Sequence, residues 1–184
     1  MNLLVPVALM LASCSRNSQE YEELGKQGQV STLLSDLKSG DATVRANSLT
    51  GLGFAAACAN PARASEQDRR AVDPEKLLPA VDPVINSLGD DDTFVRYCAG
   101  YALRYLAESV EHGPALTRIT DALIEHKPQV DNGDDHKHYV EGLTAIAARA
   151  GDFPELAAKA QAALGGERGA AGKVEAEGKL KRSK

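Results

Sequence analysis

The apolar residues of this chain follow a pattern that occurs twice. Each copy has apolar residues at positions i, i+3, i+4 and i+7, then Asp-x-x-Val-Arg, then a leucine seven positions after the arginine. Equivalent residues are 51 positions apart, as are Val44 and Val95 (95 less 44). This spacing places apolar side chains on one face of an α-helix. Each copy therefore predicts a pair of helices, and the repetition predicts that successive pairs stack around a shared core.

Capping and helix-breaking residues predict where these helices begin and end. Asp41 is placed to cap the second helix of the first copy, and that helix is expected to end at Asn60. Asp92 has the same capping position in the second copy. Pro79 and Pro83 lie inside the first helix of the second copy and should bend or restart it.

A third, weaker copy and two short helices complete the predicted domain. Apolar residues in 116–124 predict the first helix of a third pair, and those in 135–147 predict the second. Short helices at about 19–26 and 154–164 are expected to cap the two ends. The predicted fold class is all-α, a short α-solenoid of about three helical hairpins with capping helices.

Composition agrees with an acidic helical domain. Aromatic residues make up 4% of the chain and tryptophan is absent, which suits closely packed helices better than a β-sandwich. The net charge is −5, and residues 165–184 hold six Lys or Arg and three Glu, which leaves −8 for residues 1–164. An acidic body argues against nucleic acid as a partner, because phosphate contacts need Lys and Arg. Residues 165–184 are predicted to be a disordered basic tail.

The first residues have the features of an export signal. Leu3–Leu11 is an apolar run that is too short to span a membrane. Residues 11–14, Leu-Ala-Ser-Cys, resemble the lipobox of bacterial lipoproteins. The resemblance implies cleavage before Cys14 and acylation of its thiol, which would hold the domain to a membrane. Ser15 favours the outer membrane. The alternative is an N-terminal helix with a chance cysteine.

The repeated segment also resembles a known family. Asp41–Leu52 and Asp92–Leu103 fit Asp-x-x-Val-Arg-x-x-Ser/Ala-x-x-Gly/Ala-Leu, which is similar to the second helix of HEAT repeats and closest to the HEAT-like type seen in bilin lyases. The resemblance covers about residues 29–150 and implies an armadillo-type α-solenoid. The chain then divides into 1–13 as signal peptide, 14–20 as polar tether, 21–164 as HEAT-like repeat domain and 165–184 as tail.

Four residues, two from each copy, form what we call the repeat ladder, a predicted row of equivalent contacts along the stack. Asp41 and Asp92 are expected to cap helices. The resemblance implies that Arg45 and Arg96 reach acidic groups of the neighbouring repeat. Structural pairing is the main interpretation of these arginines, and contact with a ligand is the alternative.

Cys58 and Cys98 are not expected to form a disulfide. Cys98 corresponds to Asn47 in the repeat register, eleven residues before Cys58. On parallel neighbouring helices that offset is roughly 16 Å at about 1.5 Å per residue, beyond the reach of a disulfide. Two separate, mostly buried thiols are predicted.

Aromatic residues recur on one side of the second helix of the second copy. Phe94, Tyr97, Tyr101 and Tyr105 are spaced by three or four residues, opposite the apolar core positions. The family resemblance places second helices on the concave face of the stack. Tyrosine is frequent at protein interfaces, so these residues are the candidate partner-binding site. The alternative is that flanking helices or residues 60–74 cover the rings.

One cluster has metal-ligand chemistry. Asp135, His136 and His138 follow Asp131 and Asp134, and neutral histidines with carboxylates can hold a divalent metal. However, Asn-Gly-Asp-Asp at 132–135 is also typical of a turn that leads into a helix cap. The two histidines are two positions apart and point to different faces of a helix. No metal or other cofactor is therefore predicted, and these residues stay low-ranking candidates.

The expected function is a membrane-anchored, noncatalytic scaffold or adaptor of the bacterial envelope that binds a protein through its concave helical face. No catalytic residues are predicted, because neither a nucleophile with its base nor a phosphate-binding glycine loop can be assigned. Two alternatives stay open. One is a small-molecule-binding or metal-binding protein with lyase-like chemistry, and the other is a structural spacer.

Overall fold

Helices are the only regular elements in the part of the chain that the structure describes. The computed structural model describes residues 16–63, 65, 72–126 and 134–165. The helices are α1 (Ser18–Lys26), α2 (Val30–Asp36), α3 (Ala42–Ala59), α4 (Val81–Asn86), α5 (Thr93–Ser109), α6 (Gly113–Glu125), α7 (Asp134–Ala147) and α8 (154–165). Short 3₁₀ helices, Pro74–Ala80 and Ser87–Gly89, flank α4. The all-α class predicted from the sequence is confirmed.

The first helix begins earlier than the sequence suggested. Asn17 caps α1 through a capping box, because its side chain accepts from the backbone N–H of Glu20 and the Glu20 side chain accepts from the N–H of Asn17. Residues 18–20, assigned above to the polar tether, are therefore helical. The predicted signal peptide, Cys14 and the predicted tail beyond residue 165 lie outside the described residues.

The two strong copies begin their second helices with the same contacts. The Asp41 carboxylate accepts from the N–H of Thr43 at 2.8 Å, and that of Asp92 accepts from the N–H of Phe94 at 2.8 Å and Val95 at 3.1 Å. Each carboxylate satisfies backbone donors that the helix itself leaves without an acceptor.

The two ladder arginines hold equivalent backbone groups. Arg45 donates to the carbonyl oxygens of residues 39 and 40 at 3.0 and 3.1 Å. Arg96 donates to those of residues 90 and 91, exactly one repeat later, at 2.6 and 3.0 Å. The matched residues of the two copies therefore occupy matched local structures.

The prolines restart the first helix of the second copy. Pro79 lies in the 3₁₀ segment Pro74–Ala80, and the α-helix begins only at Val81, with Pro83 in its first turn. Proline lacks the N–H that an α-helix interior needs, and the first turn is where its absence costs least. The predicted restart is confirmed.

The second helices of the copies pack against one another in chain order. α3 packs along α5 more extensively than any other pair of described helices, α1 packs on the opposite side of α3, and α7 packs on α5. The leading helices lie beside their partners, α2 on α3, α4 on α5 and α6 on α7. One buried apolar cluster runs through the assembly.

Burial of equivalent positions depends on their place in this order. Val95 is fully buried, whereas Val44 is only partly buried. The unit that contains Val95 has a helical pair on each side, while the first unit, α2 and α3, has only α1 at its outer end. The core positions Leu52 and Leu103 are both fully buried.

Glycines allow the close approach of α1 to α3. A Cβ atom on Gly25 would lie 2.2 Å from the carbonyl oxygen of Gly51, a distance that real Cβ atoms do not adopt. A Cβ atom on Gly51 would likewise lie too close to the backbone oxygen of Tyr21. The two helix backbones therefore touch directly, and alanine is not tolerated at Gly25 without separating them.

The cysteines are separate, as the repeat register predicts. Cys58 and Cys98 are both buried and are not joined by a disulfide. The Thr50 hydroxyl on α3 contacts the sulfur of Cys98 on α5 at 3.7 Å. Burial raises the pKa of the Cys98 thiol, so the thiol is neutral at physiological pH.

An arginine–carboxylate pair joins the first and second units. Arg45 donates from Nε and Nη2 to the two carboxylate oxygens of Asp90, both at 2.8 Å, in a bidentate pair. The hydrogen bond from Arg45 lowers the pKa of Asp90, and the backbone N–H of Asp92 acts in the same direction. Arg96, in contrast, donates to groups of its own unit, and residues 127–133 lie outside the described residues.

We expect Asp90→Asn to lower the urea midpoint at pH 7, and the loss relative to the wild type to shrink as the pH falls below about 4. The folded-state pKa of Asp90 lies below its unfolded value, so the stabilisation is present above the unfolded pKa and disappears as the pH falls through the folded pKa. Urea denaturation at several pH values measures this. Asp91→Asn is the control, because Asp91 is exposed. A difference that stays constant down to pH 3 would contradict an ionic contribution.

Candidate functional site

Six rings from three stacked helices form one surface, which we call the aromatic face. Phe54 lies on α3, His138 lies on α7, and four residues of α5 lie between them. The members of the aromatic face are Phe54, Phe94, Tyr97, Tyr101, Tyr105 and His138. The three- and four-residue spacing on α5 places its rings on the side away from the buried positions, because neighbours at this spacing share a helix face.

The rings contact one another in sequence along the face. Phe94 stacks on Tyr97, with ring centroids 6.0 Å apart and planes 9° apart. Tyr101 meets Tyr105 edge to face at 4.9 Å, and Phe54 lies 6.4 Å from Tyr101. These separations lie within the range of favourable aromatic pairs. The face is therefore an ordered surface of mutually supporting rings.

Exposure differs along the aromatic face. Phe94 is 59% exposed and is the one large apolar residue that stands out in this way among the described residues. Tyr97, Tyr101 and Tyr105 are half-buried. The exposed Phe94 ring thus lies beside half-buried tyrosines. This arrangement is expected of a contact surface, because covering an exposed apolar ring removes it from water and lowers the free energy.

The Tyr101 ring is seated on a glycine of the neighbouring unit. A Cβ atom on Gly53 would lie 2.4 Å from Cε1 of Tyr101, so only glycine leaves room for the ring. Burial, and then the proximity of Tyr105, raises the pKa of the Tyr101 phenol. Tyr101 is therefore neutral at physiological pH and can donate a hydrogen bond.

Cations lie over two rings of the aromatic face, Phe54 and Tyr105. Lys26 of α1 places its Nζ 5.6 Å from the centre of the Phe54 ring. The guanidinium carbons of Arg63 and Arg104 lie 5.3 and 4.9 Å from the centre of the Tyr105 ring. These distances are those of cation–π contacts.

Carboxylates fix the two arginines at Tyr105. Arg63 donates from Nη2 to Glu108 at 3.0 Å, and this hydrogen-bonded pair raises the pKa of the guanidinium. Arg104 lies 3.6 Å from Glu108 and 2.5 Å from Glu141 of α7. These ion pairs connect residue 63, just after α3, to α5 and α7. They lie at the Tyr105 end of the aromatic face.

His138 belongs to the aromatic face. It is buried, and its ring lies edge-on to Tyr97 at 5.0 Å and to Tyr101 at 5.5 Å. His136 is half-buried on the same helix, and the side chain of Asp135 lies outside what the structure describes. In the described ranges no three His, Cys, Asp or Glu side chains are arranged to hold a metal ion.

The remaining predicted residues lie elsewhere. Asp41, Arg45, Asp92 and Arg96 hold helix starts and, for Arg45, the contact with Asp90. A separate apolar groove of about 370 Å³ lies between α2 and α4 and includes Leu34 and Pro83. The aromatic face and this groove are different surfaces.

Sequence reasoning missed several parts of the aromatic face. Phe54 occupies the position equivalent to Tyr105 (105 less 54 is 51), so the repeat register carried a signal for an aromatic residue there. Arg63 and Gly53 had no such signal, because their roles depend on a contact with α5 that only the packing of α3 creates.

Comparison with known proteins does not assign the chain to a family. No protein-family model matches the chain, and a search of curated proteins finds no significant match. In the described segments no helix is both long and apolar enough to cross a membrane.

We expect Gly53→Ala to destabilise the protein by about 1–3 kcal/mol, because the added methyl group overlaps the Tyr101 ring in a packed contact. Urea denaturation measures the stability, and near-ultraviolet circular dichroism follows the tyrosine environment. Gly40→Ala is the matched control, since its Cβ would meet no atom within 4 Å and should change the stability by less than about 0.5 kcal/mol. Equal effects of the two substitutions would contradict the seating of Tyr101 on Gly53.

Proposed function

We propose that this protein is a noncatalytic binding module that holds a protein partner on its aromatic face. The carrying observation is the Phe94 ring, which is 59% exposed and stacks on Tyr97. His138 joins Tyr97 to Tyr101, and Tyr101 contacts Tyr105. Tyrosine and phenylalanine supply contact area at low entropic cost, and such residues dominate binding energy at interfaces.

The supporting architecture is a short α-solenoid of HEAT-like hairpins. Three observations support it. Asp41 and Asp92 cap equivalent helices, and the backbone contacts of Arg45 recur at Arg96, 51 residues later. Helices α1, α3, α5 and α7 pack in chain order. A stack of this kind presents one helix from each unit on a common surface, which suits an extended partner. The aromatic face draws on α3, α5 and α7 in this way.

The proposed setting is the bacterial envelope, with the domain held to a membrane by lipid on Cys14. The support is the Leu-Ala-Ser-Cys sequence at 11–14 after a short apolar run. The first described helix starts at Ser18, so only a few residues separate the proposed anchor from the folded domain. An anchored module of this kind would position its partner close to the membrane, which we propose is the outer membrane on its periplasmic side.

The partner-binding proposal predicts a position-specific crosslink. A photoreactive phenylalanine analogue in place of Phe94 should give one discrete adduct in cells, whereas the same analogue in place of Lys76, an exposed residue outside the aromatic face, should not. After identification by mass spectrometry, the purified partner should bind the wild type. It should bind Phe94→Ala at least about fivefold more weakly, as expected for an interface aromatic.

The matched control for the affinity measurement is Leu34→Ala, which removes an apolar side chain from the groove between α2 and α4. It should leave the affinity unchanged. Circular dichroism checks that both variants retain their helicity. Equal adducts from both crosslinking positions, or an affinity that Phe94→Ala does not alter, would contradict the proposed role of the aromatic face.

The anchoring proposal predicts that Cys14→Ala moves the protein from the membrane fraction to the soluble periplasmic fraction. The substitution removes the thiol that would carry the lipid, and no other anchor is invoked. Cell fractionation and immunoblotting measure the distribution. Gln19→Ala, an exposed position outside the Leu-Ala-Ser-Cys sequence, is the control. Unchanged membrane association of Cys14→Ala would refute the lipid anchor.

A further inference from the structure

We infer that the partner of the aromatic face is a basic, extended segment of another protein, whose lysine or arginine side chains lie on the exposed rings. This inference rests on the proposed function and adds the chemistry of the partner. Three features of the aromatic face carry it: the cations already bound there, the accessible ring of Phe94, and the carboxylate of Glu22.

The aromatic face already binds cations of its own chain. Lys26 lies over Phe54, and Arg63 and Arg104 lie over Tyr105. The negative faces of Phe54 and Tyr105 therefore act as cation acceptors. The charges of Arg63 and Arg104 are balanced by Glu108 and Glu141, so the rings of this surface accept cations without a net positive charge at Tyr105.

Phe94 provides that further ring. It is 59% exposed, so its outer face is accessible to a partner, while its inner side stacks on Tyr97 at 6.0 Å. Stacking holds the ring in one orientation, which lowers the entropy lost when a side chain binds. A lysine or arginine over Phe94 would gain about a two- to fivefold increase in affinity, the size of an exposed cation–π contact.

Glu22 supplies a negative charge beside the rings. This half-buried residue of α1 lies one helical turn before Lys26, whose Nζ lies over the Phe54 ring of the aromatic face. A basic side chain of the partner would pair with the Glu22 carboxylate.

The overall charge agrees with a basic partner. Residues 1–164 carry a net charge of −8, since the net charge of −5 includes +3 from residues 165–184. A negative body attracts basic segments and accelerates their association at low salt. An acidic partner would meet repulsion both from the body and from Glu22.

The test is an NMR titration of the full chain with a short peptide of alternating lysine and serine. The backbone amides of Phe94, Tyr97 and Glu22 should shift on addition, and the affinity should fall as salt rises. A peptide with norleucine in place of lysine keeps the alkyl chain without the ammonium group. A peptide with glutamate in place of lysine reverses the charge. Neither control peptide should shift these amides.

Three variants separate the contributions. Phe94→Leu keeps an apolar side chain but removes the ring, and should weaken lysine-peptide binding about two- to fivefold. Phe94→Trp should bind more tightly than the wild type, because tryptophan is the strongest cation acceptor. Glu22→Gln should weaken binding by up to about fivefold, the range of an exposed ion pair.

Several results would overturn the inference. These are equal binding of the lysine and norleucine peptides, equal affinity of Phe94→Leu and the wild type, or shifts confined to other surfaces. Release of the chain's own basic tail, seen as shifts at Lys179–Lys184 on peptide addition, would identify the tail as the occupant and contradict a separate partner. If the Phe94 crosslink forms while the lysine peptide fails, the proposed function stands and only the basic character of the partner is wrong.

Discussion

The close approach of α3 to the helices on its two sides determines where the other elements lie. Gly25 of α1 contacts the backbone of α3 at Gly51, and Gly53 on α3 receives the Tyr101 ring of α5. α3 is buried along most of its length and has core residues on all sides, as expected of a helix surrounded by others. Small residues reduce the helix spacing, and a smaller spacing buries more apolar surface per residue in a chain that has few aromatic core residues.

The aromatic face is a consequence of this packing. The small residues on α3 and α5 fill the space between the helices, so the large rings of α5 cannot be accommodated there and lie on the open side. Tyr101 is the exception, because its half-buried ring packs on Gly53 of α3 and is also part of the aromatic face. The Tyr101 ring therefore contributes both to the packing of α3 against α5 and to the aromatic face.

The sequence predicted the helices well because their signals are local. Apolar spacing, a capping Asp at residues 41 and 92, and a proline at residue 79 each act over a few positions, and each appears in the structure. The start of α1 was missed by one residue, because the reciprocal bonds between Asn17 and Glu20 were overlooked. The four aromatic residues of α5 were found from the same periodicity. Phe54 was missed although the register marked its position.

Contacts between distant segments could not be read from the chain. The approach of Arg63 to Tyr105, and of His138 to Tyr97, depends on how α3 and α7 are placed against α5. Spacing within one helix carries no information about that placement. For the same reason His138 suggested a metal ligand in the sequence, where its acidic neighbours are visible and its aromatic ones are not. The chemistry of a histidine follows from the groups around it in space, and in this fold those groups are tyrosine rings supplied by the preceding unit.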